Sequence, residues 1–236
     1  MRQLKAVLFG AIGTVAETSD LQRRAFNIAF LEAGLDWVWD PATYRELLRT
    51  NGGQARMRAY KDSLTGASIS EASIVALHAA KTKAYVGLLA AARLRPRAGV
   101  KALMDSCLEA GVRLAFCTST DRANVDAIRA ALGDGLNFEH FWPIVTIDKI
   151  ARAKPAPDAY LYALAQLGLT ANQVVAIEDA PVSIAAAKAA GIVTLATPGE
   201  MTADQDFSAA DLSVADLSVV GLGRIEELLE ACSNQV

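Results

Sequence analysis

Short runs of consecutive apolar residues recur along the chain and alternate with segments of helical period. The runs are rich in Val, Ile and Leu, and they lie at residues 4–9, 112–117, 143–147, 174–177 and 193–196. Such runs are typical of strands that are buried on both faces of a parallel sheet. The pattern therefore predicts an α/β fold in which helices connect parallel strands by right-handed crossovers.

Three of the intervening helices have ends that the sequence marks. They are predicted over residues 99–110, 157–167 and 181–190, and each is followed at once by a glycine: Gly111, Gly168 and Gly191. Glycine in this place supplies the left-handed turn that closes many helices. Residues 204–219 have only a loose pattern, and we expect part of that segment to be irregular.

Residues 16–94 break the alternation, because they are helical in pattern throughout. Asp40-Pro41 predicts a helix start, and Ser68 with Glu71 has the spacing of a capping box before a long helix ending near Ala92. Pro96 ends this helical region. We therefore predict a core domain of residues 1–15 and 96–236, with a helical cap domain, residues 16–95, inserted after the first strand.

Composition and charge narrow the function classes. The 236 residues are 53% hydrophobic and carry a formal charge of -3, which predicts a globular protein without the basic footprint of nucleic-acid binding. Charged residues interrupt the alanine-rich stretches and no leader pattern opens the chain, so we expect neither secretion nor membrane insertion, and cytoplasmic residence.

The cysteines and histidines give no independent catalytic or metal-binding pattern. Cys107, Cys117 and Cys232 lack metal-ligand spacing and suit packing in a reducing compartment. His78 and His140 accompany no nucleophile pattern of a hydrolytic triad.

The first apolar run ends in a turn that carries no catalytic side chain. The sequence from residue 5 to residue 14 is KAVLFGAIGT. It resembles the first motif of the haloacid dehalogenase (HAD) superfamily, Phe-Asp-x-Asp-Gly-Thr, which implies a Rossmann-like core with a parallel sheet. In that family the first Asp attacks phosphorus and the second is the acid/base. Gly10 and Ile12 stand at these two positions, so the motif is degenerate.

Segments within the predicted cap are similar to those of the CbbY-like sugar-bisphosphate phosphatases. These are LDWVWD at residues 35–40, YRELL at residues 44–48 and NGG at residues 51–53. The resemblance implies a small phosphorylated metabolite or inorganic anion as ligand. It also implies a set of substrate-facing residues on the cap: Glu17, Tyr44, Gly53, Gln54 and Arg56. Gln54 stands where the family usually has Lys, and Gln22 stands where close relatives have His.

The second and third motifs resemble residues 117–120 (CTST) and 153–158 (AKPAPD). They imply phosphate binding by Thr118, Ser119 and Lys154. A helix start has free N–H donors that suit phosphate, and a lysine stabilises developing negative charge. Because Gly10 removes the anionic neighbour of this lysine, we expect Lys154 to attract an anionic ligand directly. Alternatively, Thr118 and Ser119 cap the next helix.

The fourth motif resembles Glu178-Asp179, the magnesium carboxylates of the family. Gly10 removes one expected ligand, while Ala180 and Val182 replace the usual Ser and Asn. This implies a weak magnesium site at Asp179 and Glu178, completed by the carbonyl of Ile12, or no site at all. Alternatively, both carboxylates cap the following helix.

Three functional hypotheses follow, and the oligomeric state stays open under each. The first, which we favour, is a phosphatase-like protein that keeps a sugar-phosphate or phosphate cleft but has lost aspartyl-phosphate chemistry. The second is a hydrolase with another nucleophile, Cys117, Thr118 or Thr14, and Glu178 or Asp179 as base. The third is an interaction protein that uses only the fold, which an exposed apolar patch on the cap would favour.

Overall fold

Six strands form one parallel sheet in the order β3-β2-β1-β4-β5-β6. The structure, a computed structural model, describes residues 4–10, 13–50, 52–65 and 69–233. The strands are β1 (Ala6–Phe9), β2 (Arg113–Cys117), β3 (Phe141–Val145), β4 (Val174–Glu178), β5 (Val193–Ala196) and β6 (Leu212–Ser213). β1 lies in the centre, between β2 and β4, so its carboxyl end sits at the middle of the sheet edge where such folds bind ligands.

Nine α-helices lie within the described residues. They are α1 (Ser19–Glu32), α2 (Pro41–Leu47), α3 (Gly53–Ser63), α4 (Glu71–Ala91), α5 (Val100–Glu109), α6 (Arg122–Leu132), α7 (Asp158–Leu167), α8 (Pro181–Ala189) and α9 (Leu222–Ser233). The first four follow one another between β1 and α5, and we call them the helical insertion. This order, with one strand before the insertion and alternating helices and strands after it, is that of the predicted α/β fold.

Alternate residues of each strand face opposite layers of helices. Val7 and Phe9 of β1 pack in one apolar cluster with α5, α6 and α9, whereas Ala6 and Leu8 pack in another with α7 and α8. This alternation follows from the two-residue period of a strand. The sheet is therefore buried on both faces, which explains why its strands are continuously apolar.

The helical insertion has an aromatic core of its own. Phe26, Phe30, Trp37 and Trp39 pack against one another with ring centroids 4.5 to 6.0 Å apart, and aromatic pairs of this kind add about 0.5–1.5 kcal/mol each beyond their buried area. Helix α4 joins this core to that of the sheet: Ile74 and Leu77 pack in the insertion, while Tyr85 and Leu89 pack in the main core.

Helix α4 is also long and apolar enough to cross a membrane. Its mean hydropathy over 18 residues is 1.2, although Lys81 and Lys83 lie within it. Helices in the cores of soluble proteins meet the same criterion, and α4 packs against α1 and α6. The absence of membrane insertion stays a prediction, as does cytoplasmic residence.

Two sequence predictions are wrong in detail. β3 begins two residues earlier than predicted and ends at Val145. The loosely patterned segment is partly irregular, as predicted, and it contains the two-residue strand β6. Ser68 lies outside the described residues, and α4 is capped instead by Ser70, whose hydroxyl accepts from Ser73 N. The predicted domain boundaries stay a prediction.

Gly99 is the N-cap of α5, and no side chain fits there. It has φ +78°, and a Cβ atom would lie 2.0 Å from the backbone carbon of Leu217. We expect Gly99→Ala to lower the free energy of unfolding by about 4 kcal/mol, because backbone must move. Gly111 has a similar φ of +72° but open space around it, and the control Gly111→Ala should lose only about 1–2 kcal/mol. Equal losses in chemical denaturation would contradict this explanation.

Candidate functional site

The site lies where β1, β2 and β4 end. Gly10 directly follows β1 and donates its N–H to the carbonyl of Ile177 in β4, at 2.9 Å. Cys117 and Glu178 end the two neighbouring strands. The position that resembles the nucleophile is thus at the centre of the sheet edge. Ile12, at the position of the acid/base, lies outside the described residues, and so does its carbonyl.

The carboxylate of Glu178 fills the space that a side chain at residue 10 would need. A Cβ atom built on Gly10 would lie 2.2 Å from Glu178 Oε2, 2.7 Å from Glu178 Cδ and 2.5 Å from Thr14 Oγ1. These distances are far below van der Waals contact. A side chain at position 10 would therefore require the carboxylate of Glu178 and the hydroxyl of Thr14 to shift.

Glu178 is held there by a buried ion pair. Lys154 Nζ lies 2.7 Å from Glu178 Oε1 and also donates to the carbonyl of Cys117 at 3.0 Å. Tyr160 of α7 donates its hydroxyl to the same carboxylate oxygen. Lys154 and Glu178 are 5% and 1% exposed, so water screens their attraction little. Burial, and then the charge of Glu178, raise the pKa of Tyr160 well above its usual range, which keeps the phenol a donor.

This pairing contradicts two expectations from the sequence. Lys154 does not lack an anionic partner, because it forms an ion pair with the buried carboxylate of Glu178. Neither Glu178 nor Asp179 caps α8, whose N-cap is Ala180. A capping role was plausible from position alone, but the side chain of Glu178 is bound by Lys154 and Tyr160 instead.

Asp179 lies next to Glu178 but contacts different groups. Its Oδ1 accepts from Thr14 Oγ1 at 2.8 Å. Gly13, with φ +87°, approaches so closely that a Cβ atom there would lie 2.0 Å from Asp179 Oδ2. Burial, and then the charge of Glu178, raise the pKa of Asp179 to about 7. Near neutral pH this carboxyl therefore holds a proton in a large fraction of molecules.

Thr118 and Ser119 adjoin Lys154 at the end of β2. The Ser119 hydroxyl accepts from the backbone N–H of Lys154 at 2.9 Å, and Thr118 Oγ1 accepts from Thr120 N at 3.0 Å. Neither residue caps α6, because Asp121 does so by accepting from Asn124 N at 2.8 Å. The alternative that they cap this helix is therefore wrong, and both hydroxyls keep a proton to donate.

The residues predicted to face a substrate from the insertion fall into two groups. Glu17 lies at the core, where its carboxylate accepts from Ser19 N and Glu200 N. Tyr44 and Arg56 lie together in the insertion, with the guanidinium of Arg56 5.9 Å from the centroid of the Tyr44 ring.

Gly53 of the same set packs under the ring of His78, where a Cβ atom on Gly53 would lie 2.7 Å from the ring. Gln54 accepts from Arg58 at 3.3 Å, so its side chain has a partner within α3.

Lys81 is a buried cation that sequence reasoning missed. It is 5% exposed, its ammonium donates to Gln22 Oε1, and it lies 4.9 and 5.0 Å from the ring centroids of Phe26 and Tyr85. Burial lowers the pKa of Lys81 to about 7, with a smaller lowering by Arg56 and an opposing effect of Asp121. A lysine amid apolar positions of α4 was the available signal.

Arg97 is a second residue that the sequence did not single out. Its guanidinium donates to the carbonyls of Gly13, Thr197 and Pro198. These carbonyls belong to the loops after β1 and β5. Arg97 therefore connects the loop after β1 to the loop after β5, in which Glu200 donates its N–H to Glu17.

The described side chains do not form an ordinary metal site. No group of three His, Cys, Asp or Glu residues able to hold a metal occurs among residues 4–10, 13–50, 52–65 and 69–233. Glu178 is engaged by two donors, and Asp179 by Thr14. Glycine at position 10 contributes no side-chain oxygen. Magnesium is commonly held by one or two carboxylates together with water and phosphate oxygens, so the predicted weak site at Asp179 and Glu178 stays a prediction.

The alternative nucleophiles are also poorly placed. Cys117 is fully buried, and burial raises the pKa of its thiol to about 12, so the thiolate is scarce. Thr14 and Thr118 are 0% and 6% exposed. Thr14 does donate to a carboxylate, but its hydroxyl is enclosed by the site and points away from solvent.

Comparison with known proteins agrees with this architecture. The model of the haloacid dehalogenase-like hydrolases matches residues 4–191. Protein CbbY of Rhodobacter capsulatus is 45% identical over 209 residues, which cover 89% of this chain and 92% of the relative. A crystal structure of CbbY from Rhodobacter sphaeroides in complex with phosphate has 37% identity and a TM-score of 0.87, covering 94% of this chain and 99% of that one.

A second structure of the Rhodobacter sphaeroides protein, a variant in complex with xylulose-(1,5)bisphosphate, has 36% identity and a TM-score of 0.88. It covers 95% of this chain and 100% of that one. The chain belongs to the haloacid dehalogenase-like hydrolase family and is CbbY-like within it. The predicted family and fold class are thereby confirmed.

The pKa of Asp179 predicts how stability depends on pH. In the folded chain the pKa of Asp179, about 7, exceeds the usual value of 3.8. The folded chain therefore binds this proton more tightly than the unfolded chain does, and its stability falls as pH rises towards 7. Asp179→Asn cannot ionise. We expect its stability relative to the parent to rise by about 2 kcal/mol between pH 5 and pH 8, as measured by urea unfolding. The control Asp134→Asn, an exposed position, should show no such rise; a flat difference for Asp179→Asn would contradict the assignment.

Proposed function

We propose that this CbbY-like member of the family binds a small phosphorylated sugar between the helical insertion and the core, without forming an aspartyl-phosphate. The hydrolase ancestry supports a phosphate-ester ligand, and Thr118 and Ser119 supply hydroxyl donors at the end of β2. Tyr44 and Arg56 supply recognition groups from the insertion. The protein therefore acts as a sugar-phosphate-binding relative of the phosphatases.

One observation supports the proposed loss of covalent chemistry. Glycine stands where the family has its attacking carboxylate, and the space for a replacement is filled by Glu178, which Lys154 and Tyr160 hold. Glu178 does not serve as a nucleophile in its stead, because it is 1% exposed and one of its oxygens accepts from both donors. Loss of a covalent nucleophile typically lowers kcat by about 10⁶.

We infer that magnesium contributes little to ligand binding. Its expected donors are missing at position 10 and engaged at Glu178 and Asp179. The mechanism of binding then rests on this chain's own groups: hydroxyls at residues 118 and 119, and cations of the insertion. Leu31 and Val38 of the insertion are exposed, but exposed apolar side chains occur on most protein surfaces, so the hypothesis of a pure interaction protein gains no support from them.

Phosphatase assays test the loss of chemistry. With a panel of pentulose and hexose phosphates at high enzyme concentration, we expect no phosphate release, and intact-mass spectrometry should detect no acyl-phosphate. An active phosphatase of the family is the positive control. Turnover that disappears in Asp179→Ala would overturn the proposal and point to a hydrolase that uses another nucleophile, such as Thr14.

A chelator tests the role of magnesium. We expect the dissociation constant of a pentulose phosphate, measured by calorimetry, to change less than twofold between excess magnesium and excess EDTA, because the metal's donors have other partners. A loss of about tenfold or more with EDTA, equivalent to about 1.4 kcal/mol, would show that the site holds a metal that bridges to the ligand.

A further inference from the structure

Two short linkers attach the helical insertion to the core. The outgoing linker, residues 14–18, leads from the loop after β1 to α1, and the return linker, residues 92–99, leads from α4 to α5. The linkers are bonded to each other, because the backbone N–H of Arg97 donates to the carbonyl of Val15 at 2.9 Å. Both connections to the insertion therefore leave the core side by side.

The side chain of Arg97 binds several loops of the core at once. Its guanidinium donates to the carbonyl of Thr197 at 2.8 Å and of Pro198 at 2.7 Å, and also to the carbonyls of Gly13 and Ala215. A guanidinium presents its five N–H donors in a rigid planar fork. One side chain of the return linker thus holds the loops after β1, β5 and β6 in fixed positions relative to one another.

Glu17 binds the same region from the outgoing linker. Its Oε1 accepts from Ser19 N at 2.9 Å, and its Oε2 accepts from Glu200 N at 2.8 Å. The carboxylate thus joins the start of α1 to the loop after β5, residues 197–202. Because Arg97 binds carbonyls of this loop and Glu17 binds an N–H of it, both linkers are fastened to one loop. We call Arg97 and Glu17 the linker clamp.

The loop that the clamp holds is itself bonded to the end of β4. The Thr202 hydroxyl donates to the carbonyl of Asp179 at 2.6 Å, and Gly199 N donates to the same carbonyl at 3.2 Å. Thr202 is buried, so water competes little for these bonds. The linkers are therefore connected, through residues 197–202, to the backbone of the sheet edge.

We infer that the linker clamp fixes the orientation of the helical insertion relative to the sheet. Arg97 and Glu17 are positioning residues in this role, which needs no ligand and holds whether or not the chain binds a sugar phosphate. Packing is the competing explanation, because α4 enters the apolar cores of both the insertion and the sheet. Variants that remove the clamp and leave this packing unchanged distinguish the two.

Spin-label distances measure the orientation on the unliganded protein. Leu31 of the insertion and Val219 of the core are 78% and 75% exposed, and Leu31→Cys and Val219→Cys supply the labelling sites. Cys232→Ser removes the half-buried thiol, while Cys107 and Cys117 are buried. Collective motions of packed elements occur over μs–ms, and freezing the sample traps their range as a distribution of distances.

Arg97→Gln should broaden this distribution to about twice the width found with Arg97, because the hinge then samples more orientations. Arg95→Gln makes the same change of charge two residues earlier, at an exposed position of the same linker, and should leave the distribution unchanged. An unchanged distribution in Arg97→Gln, or equal broadening in both variants, would overturn the inference and favour packing alone.

Glu17→Gln tests the other half of the clamp and keeps the inference testable if Arg97→Gln does not fold. It replaces one acceptor oxygen by a donor, so one of the two N–H groups loses its partner. We expect a broader distribution than with Glu17. Glu32→Gln, at the exposed end of α1, is the matched control and should cause no broadening; an unchanged distribution in Glu17→Gln would remove Glu17 from the clamp and overturn the inference.

Amide hydrogen exchange separates positioning from a general loss of stability. In Arg97→Gln we expect the amides of Ser19 and Glu200 to exchange about tenfold faster, because their protection depends on local opening, while the amides of β4 keep their rates. A uniform acceleration that includes β4 would show that Arg97 only stabilises the fold, and it would overturn the inference.

Discussion

The buried ion pair between Lys154 and Glu178 is the contact on which the rest of the site depends. Lys154, in the loop before α7, binds the end of β2 through the carbonyl of Cys117 and the end of β4 through the carboxylate of Glu178. Removing one partner of such a pair typically costs about 3–5 kcal/mol, because the other charge is left buried. The pair therefore fixes the geometry of the sheet edge and leaves Lys154 already satisfied by the protein.

The same contact explains which parts of the molecule the sequence could predict. Strand and helix positions follow from local periodicity, so the α/β fold and most elements were predictable. The place of Glu178 was not, because it depends on a partner 24 residues away and on space left by glycine at position 10. The expectation of an available Lys154 was wrong for this reason: the sequence shows that a carboxylate is absent from one position, but not that another side chain takes its place.

Two further features were hidden for related reasons. Lys81 lies in a helix whose pattern is largely apolar, and only the packing of α1 against α4 shows that its ammonium is enclosed by Gln22 and two rings. Arg97 follows a proline that marks a boundary, and its carbonyl partners lie in distant loops. The surroundings of both residues depend on long-range contacts of single side chains, and the periodicity of the sequence carries no information about such contacts.

Under the function that we propose, glycine at position 10 means more than the absence of a reactive group. Returning an aspartate there would place its Cβ against Glu178 and Thr14, and it would compete with Glu178 for a lysine that is already paired. Aspartyl-phosphate chemistry requires that the attacking carboxylate be open to phosphate and that the lysine be oriented towards developing charge. In this chain the lysine instead stabilises an internal anion. Under the function that we propose, the glycine, the glutamate and the lysine form one arrangement that suits a packed core and disfavours phosphoryl transfer.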